Sequence, residues 1–141
     1  MIKLRNTVRG AIPNYKIVDT YRRAFHYPWW LFGKAFYLAD QYYQEADEEL
    51  ILDILAQDKT DLEEYIAEDY DCDDFAFRLM GVFHQNKETA AMPIFLTWIL
   101  TPLGGHAVLS YYVNDTVRII EPQTDDVFEV PADWKLFLLC G

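Results

Sequence analysis

A chain of 141 residues, 52% hydrophobic and 16% aromatic, has the material for one real core and is not intrinsically disordered. Its formal charge of −11 argues against nucleic acid or an anionic membrane as a general partner, because both demand a cationic surface. It suits a protein that binds cations instead. Two cysteines, Cys72 and Cys140, are too few for a disulfide framework. A single bridge between them stays open, but with no signal-peptide pattern in Met1–Asn6 the expectation is two reduced thiols in a cytoplasmic protein.

The chain is expected to form a single unit over 1–141, with an aromatic and helical lead-in over 1–60. Within the lead-in, Tyr15-Lys16-Ile17-Val18 reads as a short strand between the punctuating prolines Pro13 and Pro28. Tyr27-Pro28-Trp29-Trp30-Leu31-Phe32 is too apolar to be left in water and is expected to pack on the core or line a cleft. The first firm helix runs from Glu45 to Gln57, with Leu50, Ile51, Ile54 and Leu55 on one face. A second is expected at Thr60, where Thr60-Asp61-Leu62-Glu63 has the capping-box pattern. A third begins near Cys72 with Phe75, Leu79 and Phe83 as its stripe, and Gln85 to Ala91 follows as a polar loop.

After Met92 the period changes. Ile94 to Leu100 reads as a buried strand, and Thr101-Pro102-Leu103-Gly104-Gly105 as a turn. His106–Val113 and Thr116–Glu121 are then separated only by Asn114-Asp115, a tight hairpin signal. Short strands at Val127–Val130 and Trp134–Leu139 complete the pattern. Helices first, then an antiparallel meander over 92–141, make the fold class α+β.

Two places carry chemistry. Cys72 stands at the start of a helix, where exposed N–H groups favour a thiolate. The surrounding carboxylates oppose that, since anions disfavour another anion. In the hairpin register set by Asn114-Asp115, His106 falls opposite Gln123 and Val108 opposite Glu121. That puts His106, Glu121 and Gln123 on one side of the sheet, an imidazole beside a carboxylate. A cysteine, a histidine and an acid in this order make a candidate catalytic set, whereas His26 and His84 have no such partners.

The segments Cys72-Asp73-Asp74-Phe75-Ala76, Gly105-His106-Ala107 and Glu121-Pro122-Gln123 resemble the C-terminal cysteine-protease domain of the Marasmius agglutinin type of fungal lectin. They also resemble small phage proteins with the same segments, which leaves a virus-encoded origin open. The resemblance implies a papain-like fold, with N-terminal helices packed on an antiparallel sheet. It implies a calcium-dependent cysteine hydrolase, with Cys72 as nucleophile, His106 as base, Glu121 orienting it and Gln123 shaping the site. The substrate would be a peptide or an amide, attacked through a thioester. Asp73 and Asp74 would ligate calcium, with Glu121 contributing, and Asp69 and Asp71 offer further carboxylates. A bound divalent ion would also resolve the conflict at Cys72. The alternatives are a non-catalytic calcium- or ligand-binding module on the same scaffold, or a transglutaminase-like acyltransferase.

Overall fold

The structure is a computed structural model and describes residues 11–141. The expectation drawn on Met1–Asn6 lies outside the described residues. Among the described residues four α-helices, α1 (Asn14–Ala24), α2 (Glu48–Gln57), α3 (Cys72–Gln85) and α4 (Lys87–Ala90), accompany eight strands. These are β1 (Ile12–Pro13), β2 (Phe36–Tyr37), β3 (Tyr42–Tyr43), β4 (Ile94–Thr101), β5 (Gly104–Val113), β6 (Thr116–Ile120), β7 (Val127–Glu129) and β8 (Lys135–Cys140). The main sheet has six strands in the order β2-β8-β4-β5-β6-β7, and β1 pairs separately with β3.

The sheet carries a layer of helix on each face. Ile17 and Tyr21 of α1, with Phe25 just past its end, pack in one cluster with Phe95, Ile99, Val108, Tyr112 and Ile119. On the other face Ile51 and Leu55 of α2 join Leu79, Met80 and Phe83 of α3 against Ile94, Leu109, Tyr111 and Ile120. Because β5 is covered on both sides, every residue from Ala107 to Val113 is buried. Such a strand reads as a continuous apolar run rather than an alternating one. The polar exception is Ser110, whose Oγ sits 2.7 Å from the Tyr21 hydroxyl and 2.6 Å from Thr97 Oγ1. Buried hydroxyls are tolerated when they partner one another in this way.

This architecture corrects the expected one. The sheet is mixed rather than antiparallel, since β2 runs parallel to β8 with Phe36 opposite Leu139. The helices do not form one layer over it, because α1 takes the face away from α2 and α3. The papain-like assignment of helices packed on an antiparallel sheet is therefore not the arrangement found.

Local departures have local causes. Tyr15–Val18 lies in α1, because Ile17, Tyr21 and Phe25 recur at the helical spacing of four and bury one stripe. The helix expected at Thr60 is a single 3₁₀ turn, Thr60–Leu62. Its apolar residues Leu62, Tyr65 and Ile66 are exposed, and a short helix without a buried face does not hold. Gln85–Ala91 is no loop throughout: the Asn86 side chain accepts from Glu88 N and caps α4. The Asn114-Asp115 hairpin has Val113 opposite Thr116 and both turn residues at positive φ, 47° and 60°. That is the primed turn such a hairpin favours.

Candidate functional site

Cys72 is the first residue of α3, and Asp71 precedes it as the N-cap residue. Asp74 reaches back so that its Oδ2 accepts from Asp71 N at 3.1 Å. The helix start therefore draws carboxylates towards one point. Asp71, Asp73 and Asp74 each offer an oxygen within 4.8 Å of the others. A hydrogen bond with Asp73, partial desolvation and the charges of Asp73, Asp74 and Glu68 push the Asp71 carboxyl up to about 6. Asp69 lies outside this trio.

Beside the trio is a cleft of about 280 Å³, lined by Cys72, Asp73, Trp98, Leu100, His106 and Phe137 among others. Its walls come from α3, β4, β5 and β8, all fixed by the core below. Phe77 of α3 stands edge-on to Trp98, with ring centroids 5.8 Å apart. Both cysteines are free thiols, so the bridge left open by the sequence does not form.

The His106 ring partners Glu121, with Nε2 2.5 Å from Oε2, and both side chains are partly buried. The other Glu121 oxygen accepts from Gln123 N at 3.2 Å. The β5–β6 ladder ends at Leu109 opposite Ile120, so Glu121 and Gln123 belong to the turn after β6 rather than to the strand. Opposite His106 in the sheet is Ile99 of β4. Cys72 and His106 line the same cleft, yet among the described residues no hydrogen bond joins the thiol to the imidazole. Both Glu121 oxygens already have partners, the His106 ring on β5 and Gln123 N in its own turn, and Glu121 is not part of the acidic trio.

A larger cleft, of about 570 Å³, lies near the start of α2. Its carboxylates are mostly in use. Asp47 caps α2 through Leu50 N, Glu48 accepts from the Tyr111 hydroxyl, and Asp115 pairs with Lys16 and Tyr112.

No protein-family model matches the chain, and no curated protein matches it. Solved structures do. A PSL1a–E64 complex is similar over 94% of this chain and 51% of that one, with a TM-score of 0.77 and 19% identity. A structure of Polyporus squamosus lectin with the human-type influenza-binding epitope Neu5Acα2-6Galβ1-4GlcNAc is similar over 94% of this chain and 50% of that one, with a TM-score of 0.76 and 18% identity. The likeness is one of fold, and the chain spans about half the length of these structures. It corrects the expectation of a papain-like cysteine peptidase: the fold is shared with lectin structures, and no hydrolase or acyltransferase activity follows from it. The peptide or amide substrate and the thioester route fall with that expectation.

Proposed function

We propose that the chain is a non-catalytic, calcium-dependent ligand-binding module whose ligand occupies the cleft beside Cys72. The observation that carries this reading is the convergence of the Asp71, Asp73 and Asp74 carboxylates within 4.8 Å of one another, with Asp73 itself lining that cleft. Calcium takes six to eight oxygen ligands, so about three carboxylates leave room for oxygens from water or from a ligand. A hydroxylated ligand such as a glycan would complete that shell. The ring faces of Trp98 and Phe137 would cover its apolar side, and the His106–Glu121 pair would fix its orientation, with Gln123 holding Glu121 in place. Cys72 is a wall residue in this reading. The sialylated glycan bound by the similar lectin is the first probe to use.

The test is calorimetric titration of that glycan into the protein with calcium and after EDTA. Binding should require calcium, be lost in Asp73→Asn and persist in Cys72→Ala, and bound glycan should slow iodoacetamide alkylation of Cys72. Hydrolysis of a peptide or amide that Cys72→Ala abolishes would overturn the non-catalytic reading.

A further inference from the structure

The chain's acidity is not spread evenly. All 23 acidic residues lie outside the stretch between Asp19 and Asp40, while Arg22, Arg23 and Lys34 lie within it. The same stretch holds Trp29, Trp30 and Phe32, which were expected to pack on the core or line a cleft. They stand in water instead, at 73%, 62% and 67% exposure, and Tyr37 beside them is 62% exposed. A soluble surface rarely leaves so many large apolar side chains together without a use.

The loop is built to hold them out. Trp29–Leu31 forms a 3₁₀ turn, and Phe32 follows at φ 53°, ψ −127°, a conformation that a bulky residue adopts only when its surroundings enforce it. The Arg22 guanidinium supplies that enforcement by donating to Phe32 O at 2.5 Å while lying over the Phe36 ring. Trp29 and Trp30 meet edge to face, with ring centroids 6.1 Å apart. Arg23 and Lys34 are exposed, and among the described residues no carboxylate lies within ion-pair distance of them, although Arg23 shares a shallow cleft with Asp115 and Glu129.

We propose that the Trp29–Phe32 loop, flanked by Arg22, Arg23 and Lys34, docks this protein onto an anionic lipid surface. Tryptophan and phenylalanine settle at the headgroup level, where an apolar ring and a polar edge are both accommodated. Each nearby Lys or Arg adds attraction to a negative leaflet. The overall charge of −11 does not forbid this, because exposed charges more than about 8 Å apart are largely screened at physiological salt, and no acidic residue lies in the sequence between Asp19 and Asp40. A lipid surface suits this patch better than a second copy, which would have to meet cation with cation across a symmetric contact.

The experiment is co-sedimentation of the whole chain with phosphatidylcholine vesicles, with and without an equal share of phosphatidylserine. Binding should appear only with phosphatidylserine, weaken as salt rises, and shift tryptophan emission to shorter wavelengths. Two variants separate the contributions: Trp29→Ser with Trp30→Ser, and Arg23→Glu with Lys34→Glu. Each should lose more than about tenfold in vesicle affinity. The charge pair changes only exposed side chains, so an unchanged thermal melt will show that the fold is intact. Failure of the wild type to sediment with phosphatidylserine vesicles overturns the proposal, as does equal binding by the variants. Self-association that Trp29→Ser with Trp30→Ser dissolves, without vesicle binding, also overturns it and makes the loop an interface between copies.

Discussion

Asp71 shows how a single residue registers the crowding at the start of α3. Its carboxyl is pushed up to about 6, first by the hydrogen bond with Asp73 and then by desolvation and its acidic neighbours. A raised acid holds its proton more tightly folded than unfolded. Without metal, its contribution to stability is therefore complete below about 4 and is lost as pH rises through about 6. Calcium and the proton compete for the same oxygens, so calcium affinity should fall about tenfold between about pH 7 and pH 5. Calorimetry at the two pH values checks this, and an affinity indifferent to pH would remove Asp71 from the ligand set. Buried polar residues give a second prediction. Tyr21 shares its hydroxyl with Ser110 Oγ, which also meets Thr97 Oγ1, and Thr97 in turn donates to Phe95 O. Tyr21→Phe removes one member of that network and should cost about 1–3 kcal/mol, read from the urea midpoint.

At the scale of the element, α3 matters most because it is what places Cys72 and the acidic trio. Leu79 is fully buried in the core that anchors it. Leu79→Ala should cost about 2–5 kcal/mol, whereas Leu62→Ser, on the exposed 3₁₀ turn, should stay within about 0.5 kcal/mol. Chemical denaturation of the two variants side by side will decide. The hairpin offers a complementary test. Asn114 already sits at φ 47°, so Asn114→Gly should be neutral or stabilising and Asn114→Val should destabilise by about 1–3 kcal/mol.

These elements also show what could be read in advance. The Phe75, Leu79, Phe83 stripe and the Val113–Thr116 register were legible because helical spacing and a two-residue turn are local signals. Three features were not. The Ile17, Tyr21, Phe25 stripe was hidden by β-favouring residues within Tyr15–Val18 and showed only in a longer window. The side of the sheet that α1 takes depends on tertiary packing, which no local pattern carries. The exposure of Trp29, Trp30 and Phe32 contradicts hydrophobicity itself, and the Arg22 contact that sustains it joins residues ten positions apart. Of the candidate site, the meeting of His106 with Glu121 followed from the hairpin, although Glu121 reaches it from the turn after β6. The convergence of Asp71 with Asp73 and Asp74 depends on the helix start folding Asp74 back onto Asp71 N.

The molecule as a whole is an acidic body, −11 in net charge, with an uncharged-to-cationic aromatic stretch between Asp19 and Asp40. No helix among the described residues is long and apolar enough to cross a membrane; the lipid contact proposed for that stretch is an interfacial one, made by a loop of aromatic side chains flanked by cations. Calcium bound only by the folded chain stabilises it by mass action, about 2.7 kcal/mol at a hundredfold excess over its dissociation constant. The thermal midpoint should accordingly rise by several degrees with calcium and return with EDTA. The thiols provide a further check: burial pushes Cys140 up, so it should alkylate slowly whether or not calcium is present.

The most direct measurement is a calorimetric titration of calcium into the wild-type chain and into Asp73→Asn. A saturable heat in the wild type, with affinity reduced at least about tenfold in the variant, is the expected result. No heat in the wild type, or equal affinity in both, would contradict a cation site at Asp71, Asp73 and Asp74.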